Sequence, residues 1–319
     1  MRNSNPGTSA RIYLSVLAGL AIMPATAAAT SPSKPAATIQ SATGFAMGKS
    51  SFEARLPDGK IIEVFAYSAA HHGPDDPIVI VLPGGGRNGE DYRDSWIQAA
   101  ERFDLLVLAP SFDERQFPGP INYNLGGMIR GDADIATLRN VELTPPRTWL
   151  FSDIEVIFDQ AVAQTGSAQT HYDLFGHSAG AQIVHRMVLF APKMRVRTAI
   201  AANSGWYTTP APGVPFPYGI RGISLPVGQL ERAYDRKLVL LLGELDNAEE
   251  TRGHLRESIE ANAQGEHRLA RGKHFHDLAA RESARLGLHS NWRLEIVPGV
   301  GHDYRRMGEA AAHFLYASR

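Results

Sequence analysis

The sequence predicts an α/β fold, with an open, mostly parallel central sheet, an N-terminal antiparallel hairpin, helices on both faces and lid-like insertions. Three observations carry this expectation. Ile78 to Leu82, Leu105 to Ala109 and Lys237 to Leu242 are short, nearly continuous β-branched or leucine runs, the pattern of strands buried on both faces of a parallel sheet. Stretches with helical periodicity alternate with such runs, which is how β-α units read in sequence. The two opening segments, Phe52 to Leu56 and Ile61 to Tyr67, alternate in polarity and are joined by Pro57-Asp58-Gly59, which is hairpin turn chemistry.

The elements follow in order. After the hairpin and the strand Ile78 to Leu82 comes a helix-like stretch from Asp91 to Phe103, then the strand Leu105 to Ala109. A helix over Trp149 to Gln164 has Thr148 placed as N-cap and apolar Phe151, Ile154, Ile157, Phe158 and Val162 close to a 3.6-residue period. It leads into a strand over Tyr172 to Phe175, and an amphipathic run, Ala181 to Phe190, follows. Later strands are expected over Val196 to Ala201, Lys237 to Leu242 and Trp292 to Val297, with helices near Glu249 to Gln264, Asp277 to Leu286 and Tyr304 to Ala317. Two segments interrupt the alternation: Ser111 to Arg147 and Ser204 to Arg236, both rich in Pro, Gly and aromatics. Loops this long inside a compact domain are lids or binding loops, and both leave from the carboxyl edge of the strands, where open α/β sheets hold ligands.

Composition bounds the partners. The 319 residues are 44% hydrophobic and 20% charged, enough for one large globular domain, expected over 51–319. A formal net charge of -1 gives no pull toward nucleic acid. Residues 1–29 read as a signal peptide: Arg2 and Arg11 form a positive start, Ile12 to Met23 an apolar stretch, and Ala25-Thr26-Ala27 a small-residue cleavage site. The apolar run is shorter than the roughly 20 residues that span a bilayer and ends at Pro24, so export to a periplasmic or extracellular space is expected, without stable membrane anchoring. Residues 30–50 read as a flexible leader. With no cysteine there is no disulfide, and nothing in the sequence speaks to oligomeric state.

Gly176-His177-Ser178-Ala179-Gly180 lies between the strand ending at Phe175 and the run starting at Ala181. Gly-x-Ser-x-Gly at a strand-to-helix turn reads as a nucleophile elbow: the serine takes a strained backbone conformation, and the glycines remove Cβ atoms where strand and helix nearly touch. A serine hydroxyl needs an imidazole to accept its proton and a carboxylate to orient that imidazole. In a sheet of this kind the partners follow in the chain order acid, then histidine, each on a loop after a strand. Asp246 follows Lys237 to Leu242, and His302 follows Trp292 to Val297. Glu244 shares the acid's loop and is the rival. Asp303 is expected to shape the histidine loop, His177 to point away from Ser178, and His185 to lie two turns into the helix. For an oxyanion, one donor is expected from the backbone N–H of Ala179 and another from Gly85 or Gly86, in the glycine loop after Leu82. Gly84 to Gly86 could also suggest a phosphate loop, but no Gly-Lys-Ser/Thr follows. His71-His72 and His274-Phe275-His276 lack a third ligand at a recognised spacing, so neither metal nor cofactor is expected.

On Leu82-Pro83-Gly84-Gly85-Gly86, the Gly176 to Gly180 elbow, Gly243-Glu244-Leu245-Asp246 and Gly299-Val300-Gly301-His302, the chain resembles the α/β-hydrolase superfamily from about Ser51 onward. Within it the resemblance is to exported bacterial hydrolases related to polyhydroxybutyrate depolymerases and feruloyl esterases. It implies an α/β-hydrolase fold and cleavage of a small-molecule carboxylic ester through an acyl-enzyme on Ser178. The same three residues would serve a serine peptidase or amidase, and a non-catalytic binding protein on this fold is the reading from another class. Trp206, Tyr207 and Tyr218 are the expected substrate pocket, with Phe117, Tyr123 and Trp149 as further aromatic candidates. Arg87, Arg221 and Lys273 are candidates for a substrate carboxylate.

Overall fold

The computed structural model describes residues 45–130 and 141–318. The expected signal peptide, the leader up to residue 44 and residues 131–140 of the first insertion lie outside the described residues. The elements run β1 (Gly48–Arg55), β2 (Ile61–Ser68), β3 (Ile78–Leu82), α1 (Gly89–Ser95), α2 (Ile97–Phe103), β4 (Leu106–Pro110), α3 (Gly119–Asn122), α4 (Leu150–Thr165), β5 (Tyr172–His177), α5 (Ala179–Phe190), β6 (Val196–Ala202), α6 (Gln229–Asp235), β7 (Leu238–Gly243), α7 (Ile259–Asn262), α8 (Arg268–Arg285), β8 (Trp292–Val297) and α9 (Tyr304–Tyr316). β1 starts within the stretch read as leader, because Gly48 to Ser51 carries no apolar face for a pattern to reveal.

The strands form one sheet in the order β1-β2-β4-β3-β5-β6-β7-β8. β1 pairs with β2 and β2 with β4 antiparallel, and every later pairing is parallel. The continuous apolar runs divide their side chains between two cores, as period-2 geometry demands. Ile78, Ile80 and Leu82 face the core under α4, α5 and α8, while Val79 and Val81 face the one under α1, α2 and α9. β4 and β7 split the same way, so both faces are closed. With the sheet covered, the carboxyl ends of β3, β5, β7 and β8 open onto the loops that carry the candidate site.

Four expectations change. The helix expected over Asp91 to Phe103 is broken at Trp96, whose indole is buried against Phe175, while the Ser95 hydroxyl donates to Tyr92 O at 2.7 Å. Thr148 does not cap α4: Pro145-Pro146 set up a 3-10 turn, Pro146–Thr148, and the Thr148 hydroxyl donates back to Pro145 O at 2.8 Å. The helix expected near Glu249 to Gln264 is reduced to the single turn α7, since Gly253 sits at φ +69 and Ser258 caps only from Ile259 onward. α8 begins nine residues earlier than expected, because its inward positions Arg268 and Arg271 are charged and hide the apolar face. α3 and α6 place short helices inside the two insertions.

Asp153 in the first turn of α4 is 9% exposed, and burial, reinforced by Asp58 and opposed by Lys60, pushes its carboxyl up to about 7. The folded protein therefore holds this proton more tightly than the unfolded chain, whose carboxyl titrates near the ordinary 3.8. That contribution to stability is complete below the unfolded value and is lost as pH rises through the folded one. Asp153→Asn is expected to raise Tm at pH 8 by about 5 °C and to leave it unchanged at pH 4, which thermal unfolding at the two pH values checks.

Candidate active site

Ser178 occupies the turn between β5 and α5 at φ 56, ψ −113, a region that only a crowded, over-determined turn sustains for a serine. The crowding is visible at its two glycines. A Cβ on Gly176 would overlap Gly180 O and stand 2.7 Å from Val184 Cγ2, and one on Gly180 would overlap Leu82 O and stand 2.8 Å from Pro83 O. β5, α5 and the end of β3 thus touch backbone to backbone. Ser178 N–H donates to Ala202 O at 2.9 Å, tying the turn to the end of β6. Gly84 lies with its Cβ position 3.4 Å from Ser178 Cβ, which sets the glycine loop beside the serine.

The acid and the histidine meet across two loops. His302 Nδ1 lies 2.7 Å from Asp246 Oδ2, and both side chains are nearly buried, at 6% and 1% exposure. Asp246 Oδ1 accepts from Arg268 Nη1 at 3.2 Å. Glu244 instead accepts from Gly299 N–H at 2.8 Å at the surface, so it is a loop brace. Asn203, at φ 51 after β6, clamps the two loops: its Oδ1 accepts from Gly243 N–H at 2.8 Å and its Nδ2 donates to Gly301 O at 3.0 Å. Glu250 accepts from His302 N–H at 2.6 Å and from Arg252 N–H at 2.9 Å. Hydrogen bonds from Arg252 hold the Glu250 carboxyl down to about 2, so it stays ionised. Asp303 caps α9 by accepting from Arg305 and Arg306 N–H, as its loop-shaping reading required.

Ser178 and His302 line one cavity of about 650 Å³, together with Gly84, Gly85, Gly86, Ala179, Gln182, Trp206, Arg252, His254 and Arg256. His177 is buried and packs on the site histidine. Its ring lies 4.5 Å from that of His302, its Nδ1 is 3.0 Å from Tyr92 Oη, and burial, with His302, Arg268 and Arg252 adding, holds its pKa well below the ordinary 6.5. His185 is a satisfied core residue: Nδ1 donates to Ala181 O at 3.0 Å and Nε2 accepts from Thr208 N–H at 3.0 Å.

Of the expected pocket aromatics only Trp206 reaches the cavity. Tyr207 is fully buried and stacks on Phe275 at 4.6 Å, with Gln264 bonded to its backbone on both sides. Tyr218 packs behind Trp206 at 4.7 Å, and its hydroxyl accepts from Arg256 Nε at 2.8 Å. Phe117, Tyr123 and Trp149 belong to the core. Arg87 donates to the carbonyls of Phe112, Phe117 and Gly119 and lies 4.0 Å from the Tyr123 ring, so it pins the first insertion. Arg221 and Lys273 are exposed and away from the cavity. Among the cavity residues missed in sequence are Gln182 on α5 and the loop 252–256, where a helix was expected and Gly253 was the signal against one.

No model of a known family matches the chain, and no curated protein matches it. Among solved structures, poly(aspartic acid) hydrolase-1 from Sphingomonas sp. KT-1 is 33% identical over 84% of this chain and 98% of that one, with a TM-score of 0.77. LpqC, a poly(3-hydroxybutyrate) depolymerase from Bordetella parapertussis, is 32% identical over 86% and 92% of the two chains, with a TM-score of 0.78. The chain belongs to the α/β-hydrolase serine hydrolases related to polyhydroxybutyrate depolymerases. The siderophore hydrolase EstA from Aspergillus nidulans, 15% identical over 91% of this chain and 98% of that one with a TM-score of 0.51, shares the fold alone.

In this hydrolase Gly253 leans on the imidazole. A Cβ there would stand 2.9 Å from His302 Cδ2 and 3.1 Å from Nε2, and its φ of +69 already disfavours a side chain. Gly253→Ala is expected to lower kcat/KM on an activated ester by about 100-fold through displacement of His302, with Tm falling only a few degrees; steady-state kinetics beside thermal unfolding checks this.

Proposed function

We propose that this hydrolase is an exported serine esterase in which Ser178, His302 and Asp246 act together. The observation that carries the reading is the strained Ser178 turn sharing one cavity with a histidine whose far nitrogen is bonded to a buried carboxylate. His302 Nε2 takes the Ser178 proton as Oγ attacks the ester carbonyl, and Asp246 holds Nδ1–H, fixing the tautomer that leaves Nε2 basic. The oxyanion is assigned to the backbone N–H of Ala179 and of Gly85 or Gly86, all at the cavity wall. His302 then protonates the leaving alcohol, and water repeats the cycle on the acyl-enzyme. Export rests on the composition of residues 1–29.

Amide cleavage is the second reading, and the relative acting on poly(aspartic acid) favours it. The chemistry differs only in the leaving group, which needs His302 to deliver its proton earlier. Ser178→Ala is expected to lower turnover of p-nitrophenyl acetate by at least about 10³-fold, and a fluorophosphonate is expected to label the wild type and not the variant. Retained turnover in that variant would remove the proposal. In a comparison of matched esters and anilides, the ester reading expects kcat/KM to favour the ester by more than the difference in their uncatalysed rates. An anilide cleaved at or above that ratio moves the assignment to an amidase.

A further inference from the structure

Arg268 is the first residue of α8 and is 2% exposed. Its Nη1 reaches Asp246 Oδ1 at 3.2 Å, the carboxylate oxygen that His302 does not use, while its Nε and Nη2 have no hydrogen-bond partner among the described residues. A guanidinium buried with two of its nitrogens unpartnered is a poor stabilising device, since a buried ion pair is at best marginal and each orphaned donor carries a desolvation cost. The neighbouring Leu269 N–H already donates to Asp246 O at 3.0 Å, so the Arg268 side chain is not needed to join α8 to the acid loop.

We propose that Arg268 is a positioning residue that acts on His302 through Asp246 and sets the lower pH limit of activity; the proposal rests on the esterase reading above. The two carboxylate oxygens are divided between a cation and the imidazole, which fixes the carboxylate plane and so the direction of His302 Nε2. The cation also offsets part of the carboxylate charge that His302 feels. An aspartate without that offset would favour imidazolium over the neutral imidazole that the first step requires.

Other charged groups around His302 do not duplicate the effect. Glu250 accepts its backbone N–H and is itself paired with Arg252, which also reaches Asp303. From the elbow comes His177, whose depressed pKa leaves it neutral. From α1 and α9 come the stacked phenols Tyr92 and Tyr304, with burial raising both. Among the described residues, Arg268 is the one cation bonded to the acid itself by a guanidinium.

The test is the pH profile of kcat/KM on p-nitrophenyl acetate from pH 4.5 to 8.5 for wild type, Arg268→Met and Arg268→Lys, with fluorophosphonate labelling to count intact sites. Arg268→Met is expected to move the acidic limb up by about one pH unit and lower the plateau about tenfold, from charge and orientation respectively. Arg268→Lys is expected to return the limb to the wild-type position with the plateau only partly restored. Loss of rate in both variants with an unmoved limb would overturn the proposal, as would a limb displaced equally in both. If Arg268→Met yields no labelled protein, Arg268→Gln takes its place with the same two outcomes. Absence of labelling in the wild type would instead sink the esterase reading, so the two failures are distinguishable.

Discussion

The close approach of β5, α5 and the end of β3 is the constraint on which the rest of the site depends. Gly176 and Gly180 lack side chains where Gly180 O, Leu82 O and Pro83 O occupy the space. Only that proximity turns the chain fast enough to hold Ser178 at φ 56, and the strain is sustained by a fully buried strand and helix on either side. One contact therefore sets two things together. It projects the serine, and it brings the chain leaving Leu82 against Gly180 in the first turn of α5, so that the proposed oxyanion donors and the proposed nucleophile share a rigid origin. Tyr92 extends the unit, since its hydroxyl reaches His177 and stands 3.1 Å from the Gly84 Cβ position.

The acid and histidine come from the far half of the sheet and are joined to this unit by polar contacts. Asn203 stands at the end of β6, next to the strand that carries Ser178, and bonds Gly243 and Gly301 with the two ends of its amide. It needs a positive φ to do so, which asparagine tolerates better than most residues. Glu250 then fixes His302 from outside through its backbone N–H. The geometry that matters for proton transfer is thus set by an amide and a carboxylate, neither of which touches the imidazole ring's nitrogens.

The legible part of the chain was the part governed by apolar period and by glycine. Ile78 to Leu82 matched its strand because a run buried on two faces has no other way to be written, and Trp292 to Val297 because Trp292, Leu294 and Ile296 alternate with Arg293 and Glu295 on an edge strand. The proposed Ser178, Asp246 and His302 could be placed on successive loops because the order of loops along a parallel sheet is constrained by its connections. The illegible part was governed by buried charge. Arg268 and Arg271 face inward on α8, so the helix showed no apolar stripe before Asp277. Glu249 to Gln264 has helical composition, but Gly253 and the bonds made by Glu250 divert the backbone over His302. Tyr207 and Tyr218 looked like pocket walls because an aromatic at a strand end is equally suited to packing, and depth cannot be read from type.

Those buried arginines explain how long, proline-rich insertions acquire one position. Arg87 gathers the carbonyls of Phe112, Phe117 and Gly119, and Arg186 those of Asn124 and Gln182 with the Thr208 hydroxyl. Arg271 gathers Gly205, Arg256 and Gly265. Irregular backbone has carbonyls that no ladder satisfies, and a guanidinium with five donors can serve several at once. Desolvation lowers Arg186 to about 9 and Arg271 to about 10, so the arrangement is bought with weakened charge. In return the segments around the cavity are tied to one another: Arg186 links the first insertion to α5 and to the loop of Trp206, and Arg271 links that loop to the one passing over His302. An arginine beside such a site is therefore first a candidate for holding loops, and only a lack of carbonyl partners among the described residues, as at Arg268, points to another role.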